Sequence, residues 1–231
     1  MRAKIILAAI FSLQAALACS QSASSPAPVS GGSSPEKSVV NNCRVREGTL
    51  CADMNLNSAD FHDSDLSNSQ FSRSNLEAAN LYRTNFTRAN LTRTDLRRAD
   101  LREAVMVEAD LRGAKLMKAR LAGARMENAN MENVFAEGAD FRNAVLSGAN
   151  FYRAELQSAN LQDVQAQRAN FRSADLSGAT LQGANLEGAN FTNANLRNAD
   201  LRDTKLHRTV FDGADMAGCK GCPAVRAKPQ P

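Results

Sequence analysis

The chain has 231 residues, 23% of them charged, a formal net charge of +4, 5% aromatics and no tryptophan. Arg2 and Lys4 belong to the leader described below, and without them the charge falls by two, from +4 to about +2. A nearly balanced charge with so few aromatics to stack on bases argues against a nucleic-acid binder, and the length fits one domain with appendages.

Residues 1–18 carry the parts of an export signal. Arg2 and Lys4 make a positive start, Ile5 to Leu17 is an apolar run broken only by Ser12 and Gln14, and Ala16 and Ala18 supply small residues before a cut. The run is too short for a membrane span. The stretch Ala16-Leu17-Ala18-Cys19 resembles a bacterial lipobox, with Ala16 where Leu is usual. That resemblance implies a diacylglyceryl group on the Cys19 thiol and an acylated Cys19 amine. Several acyl chains hold a protein on a bilayer where one does not. Ser20 resembles the sorting signal for the outer membrane of Gram-negative bacteria, which implies a cell-envelope location. Ordinary secretion after cleavage at the Ala-x-Ala site is the alternative. Residues 19–38 are then the lipidated Cys19 followed by a Ser-, Pro-, Ala- and Gly-rich stretch that reads as a flexible tether. Residues 39–55 read as an N-terminal cap.

From Leu56 to Met216 every fifth residue is large and apolar. Of 33 such sites, called i here, 31 are Leu, Phe or Met, and the exceptions are Ala136 and Ala166. Position i−2 is Ala at 23 sites, and i−1 is Asn or Asp at 21. A helix turns about 100° per residue, so a five-residue beat leaves no lasting apolar stripe on it. A plain strand alternates with period two, and an odd period flips its faces at every repeat. A short extended piece followed by a tight corner fits. Gly gathers at i+2, where such a corner can need a positive φ. Self-similarity at fixed period signals a solenoid.

Segments such as Ala89-Asn90-Leu91, Ala99-Asp100-Leu101 and Ala189-Asn190-Phe191 resemble the unit of the pentapeptide-repeat family. The resemblance implies an all-β fold: a right-handed quadrilateral β-helix over residues 56–218, with four repeats per coil, about eight coils, and i and i−2 pointing inward. The exceptions agree with that facing. Where i shrinks to Ala136 and Ala166, i−2 grows to Val134 and Val164, which partly conserves interior volume. Phe135, beside Ala136, is expected to turn inward. Residues twenty apart are expected to stack, so Phe151, Phe171, Phe191 and Phe211 form one core column.

Cys43 and Cys51 lie in the cap, and Cys219 and Cys222 lie just past the last repeat, in a C-terminal cap and tail of residues 219–231. In the implied fold the two pairs are about eight coils apart, too far for a disulfide or a shared metal ion. Pairing in a monomer is then local, Cys43 with Cys51 and Cys219 with Cys222, which suits an oxidising envelope. For the CxxC pair a redox role, a metal and an intermolecular bridge are the alternatives, although no helix N-terminus or βαβ context is present to lower a thiol pKa.

On the outside, Arg83, Arg88, Arg93 and Arg98 occupy i+2 in four successive repeats, one circuit of the coil, and Arg73, Arg97, Arg102 and Arg112 widen this belt. Glu127, Glu132 and Glu137 form an acidic belt at i+1, with Asp140 close by. They make either a solvated polar surface or a docking surface for a protein of complementary charge. His62 and His207 sit at i+1 near opposite ends, expected exposed and unable to form a dyad. Val105, Val107 and Val145 are expected to make a small outward apolar patch. No cofactor, metal site or catalytic constellation is expected. The leading reading is a non-enzymatic envelope lipoprotein, held to the membrane through Cys19, that serves as a rigid protein-interaction scaffold or spacer. The alternatives are a topoisomerase-binding DNA mimic of the quinolone-resistance kind and an envelope thiol-disulfide protein using Cys219 and Cys222. A DNA mimic implies a strongly acidic, cytoplasmic rod, and this chain departs on both counts.

Overall fold

A computed structural model describes residues 39–223, all within one compact unit. The export signal, Cys19 and the whole of the tether lie outside the described residues, as does the end of the C-terminal tail.

The chain winds as a right-handed square coil. Each i−1 residue bridges, in parallel, the residue twenty positions on, in an unbroken series from Leu50↔Gln70 to Asp200↔Lys220. The series begins inside the segment read as a cap, where Cys51 already occupies an interior position. Before it stands a small hairpin, β1 (Val39–Val40) and β2 (Cys43–Arg44), paired antiparallel. Asn41 and Asn42 both have positive φ, 47° and 66°, which is the pattern of a tight two-residue hairpin turn.

An accounting of backbone N–H groups explains the five-residue unit. In the repeat at Phe171, the Phe171 N–H donates to the Asn190 carbonyl one coil on (2.8 Å), and Ser173 N–H donates to Thr192 (2.9 Å). Ala174 N–H closes the corner on the Phe171 carbonyl (3.1 Å), and Asp175 N–H reaches back to Ala154 (2.9 Å). One donor is left, the N–H of Arg172 at i+1, and the Asn170 side-chain oxygen at i−1 accepts it at 3.2 Å. This bond forms at each of the 21 repeats with Asn or Asp at i−1, at 2.9 to 3.4 Å. The preference for Asn and Asp is thus a local cap on the fifth donor, which the coil-to-coil ladder does not serve.

The corners have one conformation. Every i+2 residue from Ser58 to Gly218 has φ between +54° and +72°, the signature of a type II turn. Glycine is enriched there, yet most of these residues carry side chains, Arg83 and Arg98 among them. The left-handed region costs a side chain about 1 kcal/mol or more. The coil imposes it because the same residue's N–H must point along the axis to the next coil.

The interior is side chain alone. All i residues from Leu56 to Leu201 are at most 1% exposed, and the i−2 alanines line the same core. Polar i−2 residues are satisfied inside it: the Thr84 and Thr94 hydroxyls donate to the Phe61 and Phe71 carbonyls, each at 2.8 Å. Phe151, Phe171, Phe191 and Phe211 stack in one column, ring centroids 4.9, 4.8 and 5.3 Å apart and planes within 10° of parallel. Those separations match the roughly 4.8 Å spacing of hydrogen-bonded strands, so the column repeats at the backbone's own period. Val134, Ala136, Val164 and Ala166 are all fully buried, so the Val-for-Ala exchange does fill one interior.

Phe135 corrects the sequence reading. It does not turn inward; it stands on the outer surface, 37% exposed. The physical reason is the ladder: the Phe135 N–H donates to Ala114 and its carbonyl accepts from Leu116, which fixes i−1 as an outward position whatever side chain it bears.

Candidate functional site

The two ends are stapled. Cys43 is joined to Cys51 (Cα–Cα 5.5 Å) and Cys219 to Cys222 (5.8 Å). The first bond ties the hairpin to the first interior position, and both its cysteines are buried. The second closes the last turn through Gly221, φ +74°, where an added Cβ would fall 2.6 to 2.7 Å from the backbone of Leu201 and Arg202. Only glycine fits there, because the chain doubles back directly onto the coil beneath.

The arginine belt is largely neutralised by its own rod. Arg83 pairs with Asp63 (3.2 Å), Arg88 with Glu108 (2.8 Å), and Arg98 with Glu77. Arg73 pairs with Asp53 (2.6 Å), while Arg97, Arg102 and Arg112 each pair with the Asp two residues before (2.6 to 2.7 Å). Among the described residues Arg93 alone of these eight has no carboxylate partner. The partners of Arg73, Arg83 and Arg88 are offset by twenty, so in those columns a residue one coil away carries the opposite charge. Bonds to the guanidinium of Arg102 and of Arg142 hold the carboxyls of Asp100 and Asp140 below the usual range, and Arg202 draws Asp200 down to about 2. The acidic belt is less uniform. Glu127 pairs with Arg125 (2.9 Å) and keeps its other oxygen buried without a hydrogen-bond partner. Glu132 is half-buried near Arg112, and Glu137 is exposed.

The departures from Asn or Asp at i−1 fall in a pattern. One unbroken run is Val105, Arg125, Val145 and Gln165, stacked on one face. Another is Lys115, Phe135 and Glu155, stacked on the opposite face. In mid-coil these two faces give up the corner cap and carry other chemistry instead. Val105 and Val145 are separated by Arg125, and all three valines are half-buried, so the expected apolar patch is interrupted by a charge.

Phe135 borders a shallow open groove with Thr92, Arg93, Arg112, Gly113, Lys115, Glu132 and Asn133. Gly113, between Arg93 and Asn133 in its corner column, makes the notch. A second depression gathers His62, Asn80, Tyr82, Arg98, Asp100, Arg102 and Arg120. There the Arg102 guanidinium lies 5.6 Å from the Tyr82 ring, and Asp100 takes both Arg102 (2.6 Å) and Arg120 (3.3 Å). His62 is half-buried rather than exposed, with Nδ1 2.6 Å from Asp60; His207, in the last coils, is exposed. Sequence reasoning missed the Phe135 groove. Its signal was present as a paired departure, an aromatic at i−1 beside an alanine at i.

Among the described residues no cluster of His, Cys, Asp or Glu is suited to a metal ion, and no helix is long and apolar enough to cross a membrane. The family model for pentapeptide repeats matches residues 55–93, 94–133, 137–172, 169–208 and 189–220. Among solved structures, HetL, a pentapeptide repeat protein involved in heterocyst differentiation regulation from the cyanobacterium Nostoc sp., is 32% identical over 75% of this chain and 87% of its own, with a TM-score of 0.61. QnrB1, a plasmid-mediated fluoroquinolone resistance protein, is 22% identical over 76% of this chain and 90% of its own, with a TM-score of 0.62. No curated protein is a significant match to the sequence.

Proposed function

The chain belongs to the pentapeptide-repeat family, and from that premise we propose that it is an exported, lipid-anchored scaffold that works by binding and not by catalysis. The observation that carries this reading is the uninterrupted interior and ladder from Leu50 to Lys220, a stiff support whose arginines are largely paired with carboxylates, some within a repeat and some one coil away. Such a body presents side chains at fixed spacing with little ordering cost on binding. Stapled ends suit a compartment where disulfides persist. The leader and Cys19 supply export and anchor, and the Ser- and Pro-rich segment before Val39 supplies reach.

Cell fractionation tests the anchor. The wild-type chain is expected in the membrane fraction, and Cys19→Ser is expected to move it to the soluble exported fraction. A wild-type chain that is soluble in the cytoplasm refutes the reading.

The likeness to QnrB1 keeps a topoisomerase-directed role as the second reading. A DNA mimic needs rows of uncompensated carboxylate, whereas here Asp95, Asp100, Asp110, Asp140 and Asp200 are each bound to an arginine. A gyrase supercoiling assay is expected to show no effect of this protein. For Cys219 and Cys222, an insulin-reduction assay is expected to show no activity.

A further inference from the structure

We propose that the groove beside Phe135 is a docking site for an acidic protein segment bearing an apolar side chain. The proposal rests on the scaffold reading and names the chemistry of its partner.

Three observations meet at this place. The first is a misplaced aromatic. Every other repeat from Leu56 to Leu201, apart from that at Ala166, buries a large side chain at i; here Ala136 takes the interior place and the Phe stands one position earlier, on the surface. The interior gives up a large apolar group, and water meets a phenyl ring. Both changes work against stability, and the repeat has a ready alternative in Asn and Leu. A side chain that breaks the local rule against the interest of the fold is explained by what it touches outside.

The second is the lost cap. With Phe at i−1, no side-chain oxygen among the described residues takes the N–H of Glu137, and Lys115 and Glu155 leave the same gap one coil to either side. Three stacked repeats on one face have exchanged a structural bond for surface chemistry.

The third is charge. Arg93 and Lys115 line the groove and, among the described residues, neither makes a close ion pair, although each of the other seven arginines of the belt does; Lys115 interacts at longer range with Asp95 in the coil beneath. Arg112 is held by Asp110, and Glu132 lies near Arg112. Arg93, with no carboxylate partner among the described residues, and Lys115, which only Asp95 answers from the coil beneath, therefore flank one exposed aromatic across the notch at Gly113. A desolvated ring at the centre with charge at the rim is the arrangement that anchors a partner side chain and selects its sign. Carboxylates answer Arg93 and Lys115, and an apolar side chain covers Phe135.

The test uses the full chain carrying Cys19→Ser and a fluorescein-labelled peptide, EDELFDED, with KKKLFKKK as its charge-reversed counterpart. Fluorescence anisotropy is expected to show saturable binding of the acidic peptide only, weakened by added salt. Phe135→Asn is expected to weaken it by about tenfold or more while leaving the melting temperature unchanged or higher, because Asn restores the cap. Arg93→Glu with Lys115→Glu is expected to abolish it and to admit the basic peptide. Binding that survives both variants overturns the proposal, as does a wild-type chain that binds neither peptide; the anchor and scaffold reading, tested by fractionation, stands apart from either result. Concentration-dependent self-association lost in Phe135→Asn also overturns it, by making a second copy the occupant.

Discussion

Phe171→Ala probes the stacked column at its centre. Phe171 is fully buried, with rings 4.9 Å below and 4.8 Å above it. Truncating a buried Phe to Ala costs about 3–5 kcal/mol through lost transfer energy and the cavity left behind. Two parallel neighbours, each worth about 0.5–1.5 kcal/mol beyond area, place this site toward the upper end. Phe211 is the control. It is half-buried, has one stacking neighbour at 5.3 Å, and lies near the C-terminal end where the side chains can relax. Its truncation is expected to cost roughly 1–2 kcal/mol. In a protein of this length 1 kcal/mol moves the melting temperature by about 2–4 °C. Phe171→Ala is then expected to melt roughly 10 °C below wild type and Phe211→Ala only a few degrees below. Because coils touch only their neighbours, hydrogen exchange is expected to speed first in the coils around residue 171. Circular dichroism melts with exchange read by mass spectrometry make the comparison. Equal losses at the two sites, or exchange that rises uniformly along the chain, refute the claim that the column is a stack of nearest-neighbour contacts.

Facing and charge give the other expectations. Leu121→Asp places an unpaired carboxylate in the interior and is expected to abolish the cooperative melt, whereas Arg120→Asn, one residue earlier and outward, gives the Ala122 N–H its cap at the loss of one exposed ion pair and is expected to melt within a few degrees of wild type. Similar melts for the two variants contradict the inward assignment. Acid weakens the rod in a defined window. The carboxyls of Asp100, Asp140 and Asp200 titrate below the unfolded value of about 3.9, so the stability they supply is present above that pH and is lost as pH falls through the folded values, toward about 2 for Asp200. Melting temperature is expected to be flat near neutrality and to drop below about pH 4, with a smaller drop in Asp100→Asn. A decline that begins near pH 6 contradicts it.

The five-residue beat determined most of this protein by itself. It excluded helix and plain strand, and, once the resemblance to the pentapeptide-repeat family implied four sides to a coil, it set Phe151, Phe171, Phe191 and Phe211 above one another, because an exact period leaves the chain no freedom of register. Even the exchange of size between Val134 and Ala136 was legible, since two inward positions must fill one volume. The tertiary structure decided what depends on the neighbouring coil. Only there do Arg83, Arg88 and Arg98 meet Asp63, Glu108 and Glu77, so a belt that reads as a basic surface is mostly neutral. Only there does the Asn and Asp preference resolve into a cap on the one N–H the ladder leaves over. Phe135 shows the division best: hydrophobicity argues that it goes in, but the backbone bonds that Ala114 and Leu116 make across the coils fix its direction, and they hold it outside.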